Sequence, residues 1–395
     1  MSAPRFPLFG RLASPAALRA AGVLTLCLFL CASAACRPDD DGVDDGNDDD
    51  EEESIEPIPK RSGSVLVDGC SLDAGQAASL RSPDAKKTVS EVILLCLSLS
   101  EGGGIRLRGT QTGSGLMTQI GDLRSQGYVV QLGITAVDED DDEQPADELT
   151  RWLKRPLWRQ ATVQALAAYA QNSDGLQVIL PELQDQARSD LSAWVAALSA
   201  RLRPQRRLGV FVPPSVSQPS DISGGDAYDL ALLGGKVDRL RLFTVDAASG
   251  DSPGPTLDAD WILQAAAFAQ KSISVDKLDV AVPLYGIDFR LQQTPTRQIV
   301  EESAVSFSEA SALATTHGQT AQGGDGEALH FAYKDGSGQE HEVWYEDSAS
   351  ILQGLRDIPE KNLPLSAGVI YVGLGGEDPD LWADLVAAQD AAALP

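Results

Sequence analysis

The sequence predicts an α/β fold: a (β/α)8 TIM barrel with a small α+β insertion between its seventh and eighth strands. Three observations carry this. From residue 64 onward, eight short runs rich in Val, Ile and Leu alternate with helical segments over about 330 residues, the order that builds a closed parallel sheet. Several runs are almost continuously apolar, as strands covered on both faces are. The interval before the last run is about 80 residues, too long for a single crossover.

Residues 1–35 read as a signal peptide. Arg5, Arg11 and Arg19 precede the apolar run "AGVLTLCLFLCASAAC" (21–36), which is short for a membrane span and ends in small residues. The run closes on "SAAC", which resembles a bacterial lipobox with Ser33 where the motif usually has Leu. The resemblance implies lipidation of Cys36 and a cell-envelope lipoprotein held to the membrane through that lipid. The alternative is cleavage after Ala34 or Ala35 and release of a secreted soluble protein.

Residues 36–60 follow as an acidic tether. Like charges repel there and almost nothing apolar is present to fold. No stretch completes a calcium loop with a closing bidentate Glu. A second acidic run, "DEDDDEQPADE" (138–148), reads as an exposed loop. The chain of 395 residues has a net charge of −27, which excludes a nucleic-acid backbone as partner.

The barrel, residues 61–395, opens with "SVLVD" (64–68), "EVILLCLSL" (91–99), "YVVQLGITA" (128–136) and "DGLQVIL" (174–180). It continues with "LGVFVP" (208–213), "DRLRLFTVD" (238–246), "LDVAVPLYG" (278–286) and "AGVIYVGLG" (367–375). Between them, Val163, Leu166, Ala167 and Ala170 mark one helix face, and Leu191, Trp194, Val195 and Leu198 another. Asp260 is placed to cap "WILQAAAFAQ". The insertion spans about 290–362, and "KDGSG" within it reads as a hairpin turn. Trp344 is expected to pack inside the insertion, and Trp382 to anchor the last helix.

Cys27 and Cys31 leave with the signal, so Cys70 and Cys96 remain as either a disulfide or two buried thiols. All three histidines, His317, His330 and His341, fall in the insertion. No cluster has metal-ligand spacing, so neither metal nor cofactor is expected. The glycine-rich "GTQTGSG" lacks the Lys-Ser/Thr ending of a phosphate loop, and no G-x-S-x-G elbow occurs.

Several segments together carry a resemblance. "LFTVDAASGDSPGPTLDADWI" (242–262), "DKLDVAVPLYGIDF" (276–289), "HEVWYEDSASI" (341–351) and "AGVIYVGLGGEDPDLW" (367–382) occur in the order found in family 18 glycoside hydrolases. The likeness is to the chitinase-like and spore-cortex-lytic branch, and it covers roughly residues 64–386. It implies substrate-assisted hydrolysis, in which a glutamic acid protonates the glycosidic oxygen and the substrate's N-acetyl group attacks. A neighbouring aspartate orients that group and a sixth-strand tyrosine supports it.

Laid on the family's fourth-strand motif D-G-x-D-x-D-x-E, Asp174 and Gly175 match, but the inward positions become Gln177, Ile179 and Pro181. Glu182 comes one residue late, so strict alternation turns it from the lumen unless a bulge at Pro181 returns it. Val245 replaces the tyrosine, and Val372 replaces the tryptophan that floors the sugar subsite. The expectation is therefore a barrel degenerate at its catalytic motif. It would bind a chitin- or peptidoglycan-type glycan, or another partner, through Asp246, Tyr285, Phe289, Gln177 or Tyr371. The rivals are an active glycosidase using a displaced Glu182, and a scaffold with no sugar contact.

Overall fold

Eight parallel strands close on themselves: Gly63–Asp68, Val89–Leu99, Val129–Thr135, Gly175–Val178, Arg207–Val212, Arg239–Leu242, Leu278–Pro283 and Gly368–Val372. Each pairs with the next, and the first pairs with both the second and the eighth. These are the eight predicted runs. The computed structural model describes residues 62–392 apart from 110–111, 138–142, 246–251, 293–297 and 361–366, together with Ile58 and Lys60. The signal segment, Cys36, most of the tether and Asp246 lie outside the described residues.

The outer helices start where short polar residues cap them. Asp73 and Gln76 form a reciprocal capping box before helix Ala74–Arg81. Helix Ala259–Gln270 is capped by Asp258, whose side chain accepts from the backbone N of Trp261. Asp260, the expected cap, lies one residue inside the helix, because the chain turns helical immediately after Asp258. Trp382 anchors the last helix as expected, meeting Tyr371 edge-on at 5.3 Å.

After the seventh strand the chain leaves the barrel as a five-stranded antiparallel sheet. In spatial order its strands are Gln298–Val305, Gly286–Gln292, Glu340–Tyr345, Glu327–Lys334 and Gln322–Gly324. Helix Phe307–Thr316 covers one face, burying Ala310 and Ala314 against Phe331, Val343 and Tyr345. The "KDGSG" segment is the predicted hairpin turn, with Lys334 opposite Glu340. The chain then returns to the barrel as helix Ser348–Glu360, which packs on helices Ala259–Gln270 and Leu381–Ala392.

Period-2 alternation divides the lumen into two layers. The lower layer is polar. Arg241, 1% exposed, is hydrogen-bonded to Glu91 and lies 3.4 Å from Asp279. Arg207 reaches Glu91 at 3.4 Å and Arg239 reaches Asp279 at 3.1 Å. Gln131 donates to Glu91, and Gln177 donates to Gln131 at 2.8 Å. Two strand glycines make room. A Cβ at Gly209 would lie 2.1 Å from Gln177 Oε1, and one at Gly368 would lie 2.3 Å from Asp279 Oδ1. The upper layer is apolar: Leu66, Ile93, Leu95, Ile179, Phe211, Phe243, Val245, Ala281, Ile370 and Val372 form one buried cluster.

Burial pushes the Glu91 carboxyl up, but Arg241, the Gln131 amide and Arg207 outweigh it and hold the group below its ordinary value. Asp279 is displaced the other way, because burial and the charge of Glu91 outweigh Arg241 and Arg239. Glu91 therefore contributes stability that is present above the ordinary carboxylate value and lost as pH falls through its lowered value. The contribution of Asp279 is present at low pH and lost as pH rises through its raised value. In urea unfolding at neutral pH, Glu91→Gln should cost ~3–5 kcal/mol, the range for breaking a buried pair. Asp279→Asn should cost less. Equal losses would show that the two carboxylates share the charge of Arg241 evenly.

Candidate functional site

In a barrel of this kind the chemistry sits at the C-terminal ends of the strands, so the site is built from the residues that end them. The fourth strand delivers Ile179, which is fully buried; its backbone N donates to Ile134 O at 2.8 Å, extending the ladder by one residue. Pro181 is buried next to it. Leu180 and Leu183 turn into the layer between strands and helices. Glu182, between them, is half-buried, and its Oε1 accepts from the hydroxyl of Ser223. Ser223 stands on the loop after the fifth strand. That loop comes close because the next residue is Gly224, at φ 69°, where a Cβ would lie 2.2 Å from Leu183 O. The Glu182 carboxylate is thus engaged by a neighbouring loop.

At the same level the sixth strand delivers Val245, 1% exposed, and the eighth delivers Val372, also 1% exposed. Thr244, between Phe243 and Val245, turns outward and clips the sixth strand to the seventh, donating to Ala281 O at 2.8 Å and accepting from Ala281 N at 2.9 Å. The apolar cluster continues without a break through Tyr285 to Ile287, Phe289 and Leu291 on the inserted sheet. Among the described residues, the side chains at this level of the lumen, Ile179, Val245 and Val372, are therefore apolar and buried.

Four of the residues expected to meet a ligand are buried. Tyr371 points outward against Trp382, because alternation on the eighth strand sends Ile370 and Val372 into the lumen. Phe289 is fully buried between the inserted sheet and the barrel. Gln177 does face the lumen, but in its lower layer, with its amide given to Gln131. Tyr285 is 5% exposed and packed so closely on Gly373 that a Cβ there would lie 2.6 Å from the ring. Asp174, which matches the first motif position, is bound at the opposite end of its strand by Arg124 at 2.8 Å and by the backbone N of Val130.

Cys70 and Cys96 are two buried thiols, not joined in a disulfide. Cys70 donates to the backbone O of Cys96 at 3.3 Å; a side-chain hydrogen bond between the two thiols, together with burial, pushes the Cys96 thiol far up. Among the described residues no group of three or more His, Cys, Asp or Glu side chains is arranged to hold a metal, and no helix is long and apolar enough to cross a membrane.

The sequence reading also missed a feature. Trp344 packs on residues of the insertion, as expected, but its partner there, His330, has no place in the sequence-based expectations: the two rings stack at 4.2 Å and 12°, half-buried, and line a groove beside the barrel. The signal was present in the hairpin: Lys334 opposite Glu340 requires His330 opposite Trp344.

No family model matches the chain. Among curated proteins it is 22% identical over 210 residues to "uncharacterized glycosylase YvbX" of Bacillus subtilis, a match covering 53% of this chain and 59% of that protein. It is 29% identical over 162 residues to the cortical fragment-lytic enzyme of the same organism, covering 40% of this chain and 36% of that one. The matches thus span well under two thirds of those relatives. The fold is that of the spore cortex-lytic enzyme SleL from Bacillus cereus, with TM-score 0.69 and 19% identity over 84% of this chain and 75% of that chain. It is equally that of the C-terminal domain of a putative chitinase from Desulfitobacterium hafniense, with TM-score 0.71 and 21% identity over 84% and 99%. A class V chitinase from Nicotiana tobaccum shares it at TM-score 0.64 and 12% identity over 84% and 100%. The chain is therefore similar to the family 18 glycosylases and chitinases, and it has their (β/α)8 barrel.

Proposed function

We propose that this protein is an envelope-tethered, family-18-like barrel that binds a glycan containing N-acetylglucosamine and does not hydrolyse it. The observation that carries this reading is the apolar, buried state of Ile179, Pro181 and Val245, the positions to which the resemblance assigns the chemistry. A positioned acid or base contributes ~10²–10⁴-fold to rate, and several such groups are absent at one subsite. The substrate class is supported by the relatives. One is a cortical fragment-lytic enzyme, and the Nicotiana chitinase was solved in complex with NAG4. A hydrolase built on Glu182 is disfavoured, because the Ser223 hydroxyl engages its carboxylate.

In this reading residues 1–35 direct export, Cys36 carries the lipid, and residues 36–60 hold the barrel of residues 61–395 off the membrane. The lower lumen keeps the strands in register. The apolar upper lumen gives up acid–base chemistry for packing.

Two measurements follow. Purified protein incubated with chitooligosaccharide or peptidoglycan should release no products, and Glu182→Gln should behave like the parent. Turnover that Glu182→Gln abolishes would establish an active enzyme instead. In cells, the full chain should partition into the detergent phase of a cloud-point extraction, and Cys36→Ser should move it to the aqueous phase. A parent found only in the aqueous phase would point to a secreted soluble protein.

A further inference from the structure

Beside the barrel, under the edge of the inserted sheet, lies a groove of about 400 Å³. One wall is the segment after the sixth strand, at Pro255 and Leu257, and the other is helix Ser348–Glu360, at Gln353 and Asp357. Its floor is the stack of His330 on Trp344, which sit opposite each other on adjacent strands. The groove is distinct from the lumen: of the residues that line it, only Trp344 packs against the lumen cluster.

Two features define what would fit. Stacking covers one face of each ring, so the half-buried pair offers an outer aromatic face beside the groove, whose negative quadrupole attracts the weakly positive C–H face of a pyranose. The charged groups lining the groove are acids, Glu327, Glu346 and Asp357, with no Lys or Arg.

Glu346 is 4% exposed and fixed in place, its Oε1 accepting from Thr256 Oγ1 and from the backbone N of Leu257, both at 3.2 Å. Burial pushes its carboxyl up, toward the form that can also donate a hydrogen bond. Such a lining accepts hydroxyl and amide donors and repels phosphates and carboxylates. A neutral polyol matches it, and an acidic peptide or a phosphorylated ligand does not.

We propose that this groove is a glycan-binding site outside the lumen, which seats a neutral N-acetylhexosamine ring on the His330–Trp344 stack. The proposal rests on the glycan reading above and moves its point of contact from the strand ends to the side of the barrel. It also accounts for how a barrel with an apolar, packed upper lumen can hold sugar.

The test titrates the full chain with a tetramer of β-1,4-linked N-acetylglucosamine, read by calorimetry and by tryptophan fluorescence. The variants are His330→Ala, which removes half of the floor, and Ala328→Arg, which fills the groove from its lining. Ala328 is half-buried, so the second variant keeps the test informative if the first perturbs the hairpin. Melting temperature monitors folding throughout. The parent should bind, both variants should bind at least about tenfold more weakly, and Trp344→Phe should remove the fluorescence change. A parent that binds, with Ala328→Arg folded and binding equally well, overturns the groove and leaves the glycan reading standing. A parent that binds neither the tetramer nor insoluble chitin overturns the glycan reading and the groove with it.

Discussion

A guanidinium held at the centre of a closed barrel is the constraint on which the rest of this structure depends. Arg241 is 1% exposed, and a buried charge persists only when it is paired and hydrogen-bonded. Its partners come from far along the chain: Glu91 on the second strand and Asp279 on the seventh. Around them, Gly209 and Gly368 give up their side chains, and Gln131 and Gln177 extend the network across the third and fourth strands. A one-residue slip of any contributing strand would turn its polar group out of the lumen. The network therefore acts on register. As a source of net stability it is modest, since desolvation offsets much of the attraction in a buried pair.

Above that layer the lumen reverses character. A hydrolase on this fold needs its carboxylates at the C-terminal ends of the strands. Among the described residues the lumen charges gather below that level, and Ile179, Phe211, Phe243, Val245 and Val372 occupy the upper part. Each such side chain contributes ~1.5–3 kcal/mol when fully buried, whereas ionised groups confined there would have to be stabilised against desolvation. The same packing runs on to Phe289 and Leu291, so the insertion docks on the barrel through this apolar cluster.

Much of this was legible in the sequence, because strand alternation is a local rule. Counting by twos from Gly175 puts Gln177 and Ile179 inside, and the structure agrees on both. What the count cannot supply is depth or partner. Gln177 is paired with Gln131, 46 residues away, and only the relative stagger of two strands brings them level. Asp260 stands directly before the apolar run, yet the helix opens two residues earlier and Asp258 caps it. Tyr371 and Phe289 were chosen as aromatic residues near strand ends, yet one faces the helices and the other is sealed under the insertion. The groove is assembled from three separated segments, and only the facing of His330 and Trp344 follows from the hairpin turn.

The central claim is that this barrel keeps a glycan and leaves it whole. It is tested most directly by equilibrating the purified full chain with a tetramer of β-1,4-linked N-acetylglucosamine, recovering the protein-bound sugar, and weighing it by mass spectrometry. The account predicts bound tetramer at its original mass after prolonged incubation. Shorter oligomers in the bound or free fraction, appearing in proportion to protein and absent with Glu182→Gln, would contradict it.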